Sequence, residues 1–232
     1  MDRSDRTASE TGERQRSAAG QRGLNRVIAM TAVEGEVRAA LEDDFHHFRV
    51  RLRHDRERVT GISSEAPRQP YSLCGSAGHR LDTLIGERLV QDTTKFFQHH
   101  DVLLQCTHQF DLATLAIASA ARGTTARRYH AFVGDSKSAG GEREARLWRD
   151  GELLLDWTFE NGVILAPSGN AGQQLGRGFT AWAGTRLDPE SAEAALVLRR
   201  AIFISSGRGH TEKLDREDHA ARVRQRQQLA DH

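Results

Sequence analysis

Two cysteines, Cys74 and Cys106, each stand where a helix is expected to begin, and the second opens a Cys106-Thr107-His108 triplet. A thiol at a helix N-terminus meets the positive end of the macrodipole and its free backbone N–H groups. Both favour the thiolate, which is the reactive form. His108 follows in the same turn, although positions i and i+2 diverge around a helix. His108 and Asp111, at i and i+3, share a face. An aspartate accepting from one ring nitrogen would fix the tautomer and raise the basicity of the other. The spacing therefore points to acid–base catalysis by His108, oriented by Asp111, with Cys106 beside them. Buried cysteine also packs as a small hydrophobe, so a structural role for both thiols stands beside the reactive one.

A second constellation is Asp43-Asp44-Phe45-His46-His47. Strand alternation puts His46 on the parity of Phe48 and Val50, facing the core, and Asp44 shares that parity. His46 is thus a catalytic candidate opposite His108. His46, His79 and His108 could ligate a metal only if the fold made them converge; no metal is expected. A third group is aromatic: Trp148, Trp157 and Trp182, with Tyr129, His130 and Phe179. Together with Arg177, Cys74 and His79 they are candidates to line a pocket for a flat, largely apolar substrate. His99 and His100 fall in a polar stretch and are expected to be solvated.

These residues need elements to position them. Residues 45–54 alternate, with Phe48, Val50 and Leu52 on one side and His47, Arg49, Arg51 and Arg53 on the other, as in a half-buried strand. A polar turn, Asp55-Arg56-Glu57, leads to a hairpin partner over residues 59–65, and Pro67 and Pro70 are expected to end the pairing. A shorter strand precedes, at residues 37–41. Leu81, Leu84 and Ile85 form a helical stripe closed by Gly86. Residues 107–122 predict the strongest helix, capped by Thr107 and stopped by Gly123. Strands follow over residues 127–133, 142–148, 152–159 and 163–166, with Asp150-Gly151 and Asn161-Gly162 as two-residue turns. The loop 167–178 holds Gly169, Gly172, Gly176 and Gly178, a spacing that matches neither a phosphate loop nor a dinucleotide fingerprint. Asp188 and Pro189 start a last helix bearing Ala194, Leu198 and Ile202.

Composition bounds the rest. The 232 residues include 33 basic and 32 acidic side chains, a formal net charge of +1. That balance argues against nucleic acid as a partner, because phosphate binding needs a clustered basic excess. The arginines of residues 49–58 read as a solvated strand face. Residues 1–23 are too polar to repay ordering and are expected to be a disordered tail; residues 211–232 form a charged tail rich in helix formers. One compact domain is expected over residues 24–210. No apolar run of about 18 residues is present to span a membrane. The start of the chain lacks the apolar core of a secretory signal, and two cysteines suit a reducing compartment, so the expected location is the cytoplasm.

Three stretches carry a resemblance: Pro70-Tyr71-Ser72-Leu73-Cys74; Gln105-Cys106-Thr107-His108 with Asp111; and residues 198–208, Leu-Arg-Arg-Ala-Ile-Phe-Ile-Ser-Ser-Gly-Arg. Over residues 45–208 the chain resembles a bacterial family catalogued only as domain of unknown function 2889, which implies no activity. The order of elements in the first half also resembles iron–sulfur scaffolds of the NifU and SufE type. The implied fold is α+β: a small antiparallel sheet with helices, joined to a second antiparallel β-rich half and a C-terminal helix. Such a scaffold needs three cysteines, and this chain has two, with Ser76 two residues after Cys74. The likeness therefore bears on fold more than on cluster binding. The expected activity is a cofactor-independent lyase or isomerase acting on a small, largely apolar or aromatic metabolite. The alternatives are a SufE-like thiol or metal module and a non-catalytic ligand-binding protein. Edge strands of the second half could pair in a homodimer.

Overall fold

Alternation builds the first half of the sheet. A computed structural model describes residues 22–71, 74–135 and 141–209. Nearly all of both expected tails lies outside that range. Strands β1 (Gly23–Val33), β2 (Glu36–Glu42) and β3 (His47–His54) bury one parity: Leu24, Ile28 and Met30; Val37, Ala39 and Leu41; Phe48, Val50 and Leu52. Arg26 sits in that apolar series on β1 and is buried with it. The opposite parity is Arg38, Arg49, Arg51 and Arg53, all exposed. Strand β4 (Val59–Arg68) pairs with β3 and runs through Pro67, further than the prolines led one to expect. It is an edge strand, where a missing ladder donor is tolerated, and the register shifts between His47 and Arg49 opposite it.

The second half is a meander of β5 (Ala126–Gly134), β6 (Arg143–Arg149), β7 (Glu152–Glu160) and β8 (Val163–Ala166). The turns at Asp150-Gly151 (φ 53° and 92°) and Asn161-Gly162 (φ 49° and 77°) place both residues in the left-handed region, the geometry for which Asx-Gly pairs are suited. The strand order is β4-β3-β2-β1-β5-β6-β7-β8. Strands β1 and β5 pair antiparallel from Gly23↔Gly134 to Thr31↔Ala126, so the eight strands form one open antiparallel sheet. A small sheet joined to a separate β-rich half is not what is seen.

Among the described residues the α-helices are α1 (Phe96–His99), α2 (Thr107–Arg122), α3 (Phe179–Arg186) and α4 (Pro189–Ser205). Helix α2 packs over β1, β2 and β3, and α4 over β1, β5, β6 and β7. The α2 span matches the expectation, but its N-cap is Cys106 rather than Thr107. Gly123 stops it at φ 67°. Asp188 caps α4, accepting from the N–H groups of Glu190 and Ser191 at 3.0 and 3.1 Å. The stripe of Leu81 and Leu84 is a 3₁₀ helix (Ser76–Leu84), and Ile85 lies outside it, exposed. Helix α3 has no counterpart in the sequence reading. Its Thr180, Gly184 and Thr185 are weak helix formers, and packing holds it instead.

One contact makes that packing testable. A Cβ on Gly184 would lie 2.7 Å from Thr94 Oγ1 and 3.2 Å from Thr94 Cβ, on the neighbouring 3₁₀ turn (Thr93–Lys95). Alanine would otherwise favour the helix by up to about 1 kcal/mol. Gly184→Ala should instead destabilise by about 1–3 kcal/mol in urea unfolding, the cost of overpacking.

Candidate functional site

The turn between β2 and β3 builds the polar centre. Asp43 Oδ1 accepts from the backbone N–H groups of Phe45 and His46, each at 2.9 Å, and lies 2.8 Å from His46 Nδ1. Its other oxygen takes the Arg26 guanidinium through Nη1. Burial alone would raise the Asp43 carboxyl. The hydrogen bond from His46 and the charge of Arg26 outweigh it and hold the group well below the usual carboxylate range. An ionised Asp43 only accepts, so His46 Nδ1 carries the proton. Alternation from β3 thus places His46 inward as expected, at 4% exposure. It misplaces the acids: the tight turn buries Asp43 and sends Asp44 outward to pair with Arg208.

His108 stacks on His46, with ring centroids 4.0 Å apart and planes at 30°, and Phe48 packs against both rings. The pairing of His108 with Asp111 is not formed. Both Asp111 oxygens accept from Arg200 of α4, at 2.5 and 3.2 Å, because a fully charged guanidinium fork outcompetes an imidazole for a carboxylate. The carboxylate that orients a histidine is Asp43, and the histidine is His46. Burial, then the charges of Arg26, His46 and Arg200, push the His108 pKa well below its ordinary value; Asp43 opposes. His108 is therefore a neutral imidazole, and its Nε2 is buried with no hydrogen-bond partner.

The two thiols meet. Cys74 and Cys106 are both free, half-buried and packed against the main core, and each thiol perturbs the titration of the other. Gln109, one turn into α2, fixes this approach: its Nε2 donates to the Cys74 carbonyl at 2.5 Å, and its Oε1 accepts from Ser64 at 2.6 Å. The neighbouring Cys74 thiol draws the Cys106 thiol below its ordinary value; burial opposes, and the N–H groups of Gln109 and His108 help through their dipoles. Cys74 moves the other way, raised by the neighbouring Cys106 and by burial.

The other candidates scatter. Tyr129 is buried on β5, donating to Glu193 Oε1 at 2.6 Å. His130 stacks on Trp148 at 5.2 Å, in a small cluster with Phe132 and Leu153 apart from the main core. Trp157, Phe179 and Trp182 pack together in the main core, so the three tryptophans do not share a pocket. His79 is exposed on its 3₁₀ helix, away from the stacked histidines. His99 is exposed as expected, but His100 turns in to Glu87 at 3.3 Å. Among the described residues, no group of three or more His, Cys, Asp or Glu side chains is arranged to hold a metal, and no helix is long and apolar enough to cross a membrane.

Arg177 lines a cleft of about 600 Å³ with Phe97, Leu103, Phe110, Arg199 and Arg200. Three residues of this region were not legible as functional, Arg26, Glu193 and Arg200, while Asp43 was named in its constellation without its role. The available signal was a charge at a core position, Arg26 in the buried parity of β1 and Glu193 among the apolar residues of α4. Comparison with family models, curated proteins and solved structures finds no match to this chain.

Proposed function

We propose that this chain is a cofactor-independent thiol–disulfide exchange protein, with Cys106 as the attacking thiolate and Cys74 as the resolving thiol. Gln109 joins the Cys74 carbonyl to the helix that Cys106 caps, and the two thiols perturb each other; this pairing carries the reading. The Cys106 thiolate attacks one sulfur of a substrate disulfide; that S–S bond breaks, a thiolate leaves, and a mixed disulfide forms on Cys106. Cys74 then gives up its proton and attacks the Cys106 sulfur, expelling the second substrate thiol. The dithiol loses two electrons to the substrate and ends as a Cys74–Cys106 disulfide. The likeness to SufE-type proteins adds persulfides to the same class of sulfur chemistry.

Alkylation by iodoacetamide tests the pair. Only the thiolate reacts, and its fraction rises with pH through the thiol pKa. Modification of Cys106 should therefore reach its half-maximal rate below the pH at which an ordinary thiol does. In Cys74→Ala the loss of the neighbouring thiol should move that midpoint upward. With oxidised glutathione the native chain should lose two hydrogens, while Cys74→Ala should stop at a glutathione adduct on Cys106. An unshifted, ordinary thiol midpoint and no internal disulfide would end the proposal.

A second reading keeps the acid–base enzyme, of lyase or isomerase type, on a small apolar or aromatic substrate. The oriented Asp43–His46 pair and the unpartnered Nε2 of neutral His108 favour it. It would place the loss of activity in His108→Gln and leave Cys106→Ser active, the reverse of the first reading.

A further inference from the structure

Arg26 is 1% exposed on β1, yet only part of its guanidinium is used. Nη1 serves Asp43, while Nε and Nη2 have no hydrogen-bond partner. Those two nitrogens form one edge of the guanidinium, two parallel N–H donors in the spacing that a carboxylate accepts. Leaving charged donors unpaired in a protein interior is costly, so the edge calls for an acceptor. Arg26 lines a small cavity, about 30 Å³, between α2 and α4. On its wall stands Thr93, 2% exposed, whose Oγ1 also lacks a partner. Two residues that carry three unused donors thus line one small, partly open cavity.

The surroundings say what kind of molecule would fill it. The cavity shares Phe97, Asp111, Arg199 and Arg200 with the larger cleft beside α1 and α3. That cleft is walled by Phe97, Leu103, Phe110 and Phe179 and carries Arg177 at its rim. Across cavity and cleft, Arg26, Arg177, Arg199 and Arg200 face Asp111 and Glu193, and Arg26 is also paired with Asp43, which leaves one positive charge over; Asp111 is taken by Arg200, and Glu193 by Arg122 and Tyr129. A singly charged head suits this balance. A phosphate dianion is larger and would meet Asp111 and Glu193 on the same wall.

We propose that this cavity and cleft form a binding site for an aryl or alkyl carboxylic acid, its carboxylate on the Arg26 edge and Thr93 Oγ1, its apolar body along the phenylalanines of the cleft. Neither thiol lines the cavity or the cleft, although Gln105 and Thr107, on either side of Cys106, border the cleft.

Phenylacetate, phenylacetamide and benzylphosphonate are the probes, with titration calorimetry on the full chain as the readout. Phenylacetate should bind, and the amide should bind roughly tenfold to a hundredfold more weakly, the worth of a charge-assisted hydrogen bond. Benzylphosphonate should also be the weaker ligand. Thr93→Val keeps the shape of the side chain and removes its donor, so it should weaken phenylacetate and leave the amide's affinity nearly unchanged. Arg26→Lys keeps the charge opposite Asp43 but loses the two-pronged edge, and should abolish the preference for the acid. Cys106→Ser should bind as the native chain does, which separates this site from the proposed exchange chemistry. Equal affinity for acid and amide, no binding of phenylacetate, or native affinity in both Thr93→Val and Arg26→Lys would overturn the proposal.

Discussion

Asp43→Ala should cost about 3–5 kcal/mol of folding stability, the penalty for leaving a buried charge without its partner. The carboxylate is fully buried, and so is the Arg26 guanidinium it receives. Its other oxygen, Oδ1, closes the turn through Phe45 and His46 and holds the His46 ring. Asp43→Asn separates these roles. Its amide oxygen can still accept from the turn N–H groups, but Arg26 stays uncompensated, so most of the loss should remain. Urea unfolding checks this, provided the slope with denaturant is unchanged. The same cluster sets an acid sensitivity. Asp43 is depressed in the fold, so the stability it adds is present above its ordinary value of 3.8 and is lost as pH falls below it. His108 acts in the same direction at higher pH. Below its ordinary 6.5 the unfolded chain takes up a proton that the buried ring refuses, so stability begins to fall there. In Asp43→Asn the lower of the two losses should vanish and the upper one remain.

Glu193→Ala should be comparably severe, about 3–5 kcal/mol. Glu193 is fully buried on α4 and takes Arg122 at 2.7 Å, from the last turn of α2, and Tyr129 at 2.6 Å, from β5. One carboxylate therefore ties two helices to the sheet. Without it, two nearly buried guanidiniums, Arg122 and Arg127, lose a counter-charge, and a buried phenol loses its acceptor. Neighbouring Glu190 is the control. It also pairs with Arg122, Arg127 and Arg149, but it is 41% exposed. Glu190→Ala should cost no more than about 1 kcal/mol, since water screens such pairs. Tyr129→Phe removes the orphaned hydroxyl, so combining it with Glu193→Ala should lose less than the sum of the two single changes.

The strands and the long helix were legible because their apolar residues repeat at the period of the element. Phe48, Val50 and Leu52 mark one face of β3, and residues 107–122 are apolar enough to be buried nearly all round. Asx-Gly pairs located two hairpin turns for the same local reason: φ is positive there. The site was less legible, because its partners are far apart in sequence. Spacing placed Asp111 beside His108 on one helix face, but spacing is blind to Arg200 arriving from α4 with a stronger claim on that carboxylate. Alternation carried His46 inward and then failed at Asp43, because a tight turn does not preserve strand parity. Helix α3 went unseen since its residues favour no element strongly, and Gly184 is there for closeness to Thr94 rather than for helicity. The contact of Cys74 with Cys106 depends on where α2 crosses the sheet, which no local pattern encodes.

The pairing of β1 with β5 has a consequence for how the chain reaches this state. Every other strand pair joins neighbours in sequence, which close short loops and form early. The central seam joins residues about a hundred positions apart, with Gly23 opposite Gly134. Its loop-closure entropy must be met before its hydrogen bonds are gained. The two meanders can therefore assemble independently, and the seam is the slow, cooperative step. Arg26, Asp43, His46 and His108 all belong to the first meander and its helix, so that polar centre needs no closed seam. Glu193, by contrast, reaches from α4 to Arg122 of α2 and Tyr129 of β5, and its cluster is complete only once the two meanders have joined.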